Sequence, residues 1–134
     1  MKFIDTNIFV YFVDRRDLRK QSIARDLIAL ALDNPEYSIT LQVLNEFANV
    51  ALLKLSMHED EVCEYISYFR NVSVRMPRAE WTDHALMIRK QYGIQFYDAL
   101  MVAAAEASGC DEILTEDLND GQIYCGVKAV NPFK

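Results

Sequence analysis

The chain opens Met1-Lys2-Phe3-Ile4-Asp5-Thr6-Asn7, and the way this run ends decides the reading of the fold. Lys2 to Ile4 suit a short buried strand, whereas Thr6 and Asn7 are residues that leave a strand and start a helix. In open α/β folds the ligand crevice lies beyond the carboxyl ends of the parallel strands, so an acid at that point faces the expected site. Asp is also a favoured N-cap residue, which gives Asp5 a purely structural alternative.

Working outward, the same step recurs. Ile8 to Val13 reads as a short helix, and the apolar positions from Leu18 to Leu32 recur at helical spacing until Asp33-Asn34-Pro35 ends the run. Tyr37 to Thr40 has strand composition, and Thr40 caps a helix from Leu41 to Leu55 with an apolar stripe of Leu44, Phe47, Ala48, Ala51, Leu52 and Leu55. Glu46 sits beside that stripe, near the strand end; in isolation a solvated surface acid, or a favourable charge near the helix N-terminus, explains it better than a functional role. Ser56-Met57-His58-Glu59 reads as a capping box for a helix through Arg70. Val72 to Val74 is a candidate strand, and Ala79 to Tyr92 an amphipathic helix stopped by Gly93.

Ile94-Gln95-Phe96-Tyr97-Asp98 then leads into Ala99 to Ala105, a helix apolar nearly all round and therefore expected to be buried. Asp98 lies in its first turn. The helix dipole favours an acid there, but a carboxylate opening a buried helix is costly unless something pairs with it. Glu112 to Thr115 gives another short strand, running into Glu116-Asp117-Leu118-Asn119-Asp120-Gly121. A turn needs no function to be rich in Asp, Asn and Gly. Ile123-Tyr124 and Val127 to Val130 read as closing strands around Gly126.

With 134 residues and no linker, repeat or low-complexity tract, the sequence predicts a single domain, residues 1–134, large enough to need neither disulfide nor structural metal. Cys63, Cys110 and Cys125 are odd in number and follow no metal-ligand spacing, which suits thiols in a reducing cytoplasm. Asp5 and Asp14 flank the apolar N-terminal stretch, so it reads as no signal peptide, and no run is long enough to span a bilayer. The net charge of −6 argues against gripping nucleic acid by bulk positive charge. It leaves room for a metal-dependent nuclease, because bound divalent cations reverse the local sign toward phosphate. Arg15, Arg16, Arg19, Lys20 and Arg25 form a local basic cluster that fits either a phosphate guide or a solvated helix face.

Alternation of strand and helix sends the ends of three strands to one edge of a parallel sheet, where Asp5, Glu46, Asp98 and Asp117 are expected to converge. Two carboxylates about 4 Å apart repel by roughly 4 kcal/mol at an effective dielectric near 20, so four cannot stay ionised together without compensation. An all-oxygen set lacking Cys and His favours Mg²⁺, or Mn²⁺, over Zn²⁺.

Ile4-Asp5-Thr6-Asn7, the Glu46 helix, Phe96-Tyr97-Asp98-Ala99 and Leu114-Thr115-Glu116-Asp117 together resemble the ordered acidic motifs of the PIN-domain family, especially its VapC-type toxins. The resemblance covers essentially the whole chain. It implies a three-layer α/β/α sandwich with a short central parallel sheet, and a cytoplasmic Mg²⁺-dependent endoribonuclease. It also implies a homodimer inhibited by a small cognate antitoxin protein. By the same resemblance, Asp5, Glu46, Asp98 and Asp117 are both the catalytic and the metal-holding residues. Asn119 and Asp120 compete with Asp117 for a supporting role. Thr6, Asn7 and Thr115 are suited to position ligands by hydrogen bonds, and cap or turn duties explain them equally well. The metal would be held by Asp5 and Asp98, with Glu46 and Asp117 as direct or water-mediated supports.

Two other readings compete. An aspartate-nucleophile phosphatase would also place Asp5 after the first strand, but the second acid expected two residues on is Asn7. A noncatalytic PIN-like module would use the acids only to bind a metal or a basic partner. For partners, the stripe from Leu44 to Leu55 and the neighbouring helix ending at Phe69 form a candidate groove for another protein's helix, and read equally well as plain core.

Overall fold

The computed structural model describes every residue from Met1 to Lys134. Five parallel strands make the sheet: β1 (Lys2–Ile4), β2 (Tyr37–Thr40), β3 (Ser73–Arg75), β4 (Glu112–Leu114) and β6 (Val127–Val130). A sixth, β5 (Ile123–Tyr124), pairs antiparallel with β6, giving the order β3-β2-β1-β4-β6-β5. β1 is therefore central, with β2 and β4 on either side in parallel register. Phe3, Ile4, Ile39 and Ile113 on these three strands are essentially inaccessible, as expected where helices cover both faces of a parallel sheet.

Six helices complete an α/β sandwich: α1 (Thr6–Val13), α2 (Leu18–Ala31), α3 (Leu41–Leu53), α4 (Glu59–Phe69), α5 (Ala79–Tyr92) and α6 (Phe96–Ala107). α1 packs on α2 and α3, and α3 on α4. Aromatic side chains lock this group, with the Phe69 ring edge-on to Phe9 at 4.8 Å and to Phe47 at 5.0 Å between centroids. Phe69 is thus core, contrary to its expected place on a partner groove. The exposed apolar residues of that region are Leu52, Leu53 and Tyr68.

α5 and α6 form a helical hairpin. Gly93 makes the turn possible at φ 68°, a left-handed conformation in which a Cβ would be strained, and its N–H closes α5 by donating to the Arg89 carbonyl. Gln95 then caps α6, its side-chain oxygen accepting from Asp98 N–H at 3.0 Å. The expected capping box at Ser56 lies two residues later. Ser56 takes φ 52° in the turn leaving α3, and His58 becomes the N-cap, with Glu61 accepting from the His58 N–H. Both frames fit the same pattern of a polar residue followed by an acid, and the turn out of α3 selects the second.

Candidate active site

The sheet brings the C-terminal ends of β2, β1 and β4 side by side. Asp5 is the first residue beyond β1, and its N–H donates to the Leu114 carbonyl at 3.0 Å. Thr115 is the first residue beyond β4, and its N–H continues the ladder to the Val130 carbonyl. Glu46 stands in the second turn of α3, directly after β2, and Asp117 in the loop after β4. Asp98 arrives differently, in the first turn of α6, whose start follows another helix rather than a strand. All four carboxylates line one cavity of about 620 Å³.

A hydrogen-bond network ties three of the four elements together. Asp5 caps α1, its Oδ1 accepting from Thr6 N–H at 2.6 Å, so the capping duty read from the sequence is real. Its Oδ2 accepts from the Thr115 hydroxyl at 2.7 Å and from Asn7 Nδ2 at 3.4 Å. The Thr115 hydroxyl in turn accepts from Asp117 N–H at 3.0 Å, linking the β1 acid to the β4 loop. Thr6 reaches the other way: its hydroxyl donates to Glu46 Oε2 at 2.8 Å. Glu46 Oε1 accepts from Gln42, one helical turn earlier, at 2.6 Å. Each of these donors is neutral, so the network fixes carboxylates without cancelling their charge.

The uncancelled charge shows in the titration of two acids. Asp5 is buried, and burial raises its pKa from the ordinary 3.8 to about 7; the Thr115 hydrogen bond opposes the rise, while the neighbouring Asp117 and Asp98 charges add to it. Asp98 rises to about 6 for the same leading reason, with Asp117 and then Glu46 contributing. These two acids are crowded, partly desolvated and short of counter-charge. No cation of the chain forms an ion pair with any of the four.

Do these residues fit a divalent cation? With the side chains where they stand, no three of them converge closely enough to enclose an ion. Mg²⁺ does not require a full protein cage, since it keeps several waters and takes one or two carboxylates together with substrate phosphate oxygens. The donors are all oxygen, and a cation relieves the repulsion that adds to burial in raising Asp5 and Asp98. One polar atom without a partner, Asn7 Oδ1, is buried in a residue that lines the same cavity, leaving an acceptor for a water of hydration. The site fits a hydrated hard cation.

Asn119 and Asp120 do not line the cavity. Asn119 binds Gln122 and Asp120 accepts from Asn131 N–H, so both support the β5–β6 region. The basic cluster is mostly engaged within the fold: Arg16 on Asp14, Lys20 on Glu116 and Tyr11, Arg19 on the Phe133 carbonyl, and Arg25 on the Phe12 carbonyl and ring. Sequence reasoning passed over Lys54, Arg78 and Trp81, which line the cavity from helix ends far apart in the chain. Their only local signal is that Lys54 stands two turns beyond Glu46 on the same face of α3.

The PIN domain model matches residues 2–120. Among solved structures, the chain superposes on a toxin–antitoxin complex from Klebsiella pneumoniae with a TM-score of 0.70 at 21% identity, covering 98% of each chain. It superposes on VapC20 of Mycobacterium tuberculosis, described as a sarcin–ricin-loop-cleaving toxin, with a TM-score of 0.69 at 18% identity, covering 96% of this chain and 99% of that one. VapBC2 from Rickettsia felis, bound to a DNA fragment from its promoter, gives a TM-score of 0.63 at 17% identity, covering 96% of both chains. No curated protein matches the sequence.

Proposed function

The chain belongs to the PIN domain family, and from that premise we propose that it is a Mg²⁺-dependent endoribonuclease, the toxin component of a toxin–antitoxin pair. The observation that carries this reading is the convergence of Asp5, Glu46, Asp98 and Asp117 on one cavity, where burial and then neighbouring carboxylates raise Asp5 to about 7 and Asp98 to about 6. Residues 1–134 act as one nuclease unit in the cytoplasm. A solved neighbour described as a toxin–antitoxin complex favours a small antitoxin as partner. Leu52 and Leu53 at the end of α3, and Tyr68 on α4, are exposed and available for the antitoxin or for a homodimer contact.

In this mechanism Asp5 and Asp98 would hold Mg²⁺, or Mn²⁺, with Glu46 and Asp117 as direct or water-mediated supports. When bound, the cation acidifies a water and neutralises charge gathering on the phosphoryl oxygens. The chain's own residues supply the positioning. Thr115 and the Thr6 N–H fix both oxygens of Asp5, while Thr6 Oγ1 and Gln42 fix both oxygens of Glu46, so these carboxylates need little reorganisation on binding. Val10, Leu100 and Met101 form apolar walls beside them, which strengthens every charge interaction inside.

Incubation of purified protein with single-stranded RNA tests the reading. Cleavage is expected with Mg²⁺ or Mn²⁺, and is expected to stop in EDTA and in Asp5→Asn. Undiminished cleavage in EDTA overturns it.

A further inference from the structure

The cavity is longer than the acids need. Along α3 the residues Gln42, Glu46, Val50 and Lys54 follow at intervals of four, one face of the helix, and all line the cavity. Lys54 therefore lies about 12 Å along the axis from Glu46, at 1.5 Å per residue. On the opposite wall α6 contributes Asp98, then Met101 and Ala104. Because α5 turns back on α6 through Gly93 to Gln95, the start of α5 lies beside the far half of α6, and there Arg78 and Trp81 line the cavity. The groove has an acidic end at the strand termini and a far end carrying Lys54, Arg78 and Trp81.

Charge at the far end is uncommitted. The seven ion pairs of the chain involve neither Lys54 nor Arg78, both of which are exposed, whereas the nearby Arg16 is held by Asp14 at 2.7 Å. Trp81 is half-buried against the core, so its indole is held in place while part of it faces the groove. A protein with net charge −6 and an acidic centre gains little from bulk attraction to a polyanion, so a productive strand needs local cations. Cations that track the backbone together with an aromatic platform for a base are the recurring means of holding an unpaired strand.

We propose that Lys54, Arg78 and Trp81 form a flanking-nucleotide subsite. Each of the two cations takes a backbone phosphate and the indole stacks on a base, roughly three to four stacked nucleotides from the phosphate at the acids, at about 3.4 Å each. The proposal rests on the nuclease reading and extends it: this subsite, rather than the acidic centre, sets affinity and the minimum length of RNA. Lys54, Arg78 and Trp81 are binding residues, separate from the hydrolytic step.

Trp81 is the only tryptophan, so its fluorescence reports the subsite directly. In EDTA, where cleavage is stopped, a single-stranded RNA decamer is expected to quench Trp81 saturably and a trimer is not. Lys54→Ala/Arg78→Ala, at two exposed positions that leave the fold intact, should weaken decamer binding about tenfold. It should also flatten the plot of log affinity against log salt by about 1.4 for two lost phosphate contacts. In Mg²⁺ the same double variant should raise KM for the decamer with kcat unchanged, and leave trimer cleavage unaltered. By anisotropy of a labelled decamer, Trp81→Ala should bind about tenfold more weakly and Trp81→Phe much less so. Unchanged decamer affinity and KM in the double variant, or an equal loss on trimer and decamer, overturns the proposal. So does quenching by an acidic peptide but not by RNA, which assigns the far end to a protein partner. Absence of any EDTA-sensitive cleavage by the wild type counts against the nuclease reading instead, because the fluorescence titration reads the subsite without turnover.

Discussion

Asp5 carries two duties that pull its carboxylate in opposite directions. As the cap of α1 and acceptor from Thr115 it is favoured ionised, and its burial beside Asp117 and Asp98 favours it neutral. Burial wins, and the pKa rises to about 7. Between the ordinary 3.8 and about 7 the folded protein therefore holds a proton that the unfolded chain has released. The stability this confers is complete below pH 4 and is lost as pH rises through 7. At about 1.4 kcal/mol per pH unit, the loss from Asp5 across that window is about 4 kcal/mol. Acids with lowered pKa values, such as Asp14 beside Arg16, act in the opposite direction but below that window. In EDTA, urea denaturation from pH 4 to 8 is expected to show wild-type stability falling relative to Asp5→Asn, which lacks the titrating group. Parallel stability curves for the two proteins would mean that Asp5 does not titrate in this range.

At the scale of the element, the strand-to-helix steps were legible because each carries its own punctuation. Asp5-Thr6 after β1, Thr40 after β2 and Gly93 between α5 and α6 all mark the boundaries the fold uses. What the sequence did not reveal depends on packing between elements. The Ser56 frame and the His58 frame look alike until α3 is seen to turn out at Ser56. Phe69 reads as one more residue of an amphipathic stripe until Phe9, Phe12 and Phe47 close around it. Lys54, Arg78 and Trp81 have no shared motif, since only the α5–α6 hairpin brings the last two opposite α3. The observed burial of these faces sets the test for a partner surface. Leu53, 74% exposed, is the residue to charge, and Phe69, wholly buried, is the control. Leu53→Asp is expected to shift stability by no more than about 0.5 kcal/mol, as surface changes do. Light scattering should show it losing self-association, or calorimetry should show it losing binding to the antitoxin. Phe69→Asp places an unpaired charge in the aromatic core and should fail to fold. A Leu53→Asp protein that associates as the wild type does would remove this patch as the interface.

The whole molecule couples these scales, because a ligand that binds only the folded chain adds its binding energy to folding. The sequence pointed to the four acids, their convergence and their mutual repulsion; which of them carry the raised pKa values follows from burial and distance, which only the fold supplies. Asp98 is the test position: exposed enough to substitute, and joined to the network only through its neighbours' charge. Its backbone N–H, rather than its carboxylate, makes the Gln95 capping bond, so Asp98→Asn keeps the start of α6 intact. If Asp98 were only a helix-terminal charge, the change would cost about 0.3 to 1 kcal/mol. Surrounded by Asp117 and Glu46 it is repelled, and in EDTA above pH 7 Asp98→Asn is expected to be the more stable protein. Mg²⁺ should invert that order. Binding to the native state stabilises by about 2.7 kcal/mol at a hundredfold excess over Kd, and the variant forfeits most of this gain. The measurement is four denaturation curves, wild type and variant, each in EDTA and in excess Mg²⁺, with RNA cleavage assayed alongside. A variant that is less stable in EDTA, responds to Mg²⁺ as the wild type does and cleaves RNA normally would make Asp98 an ordinary helix acid and leave the cavity without its cation.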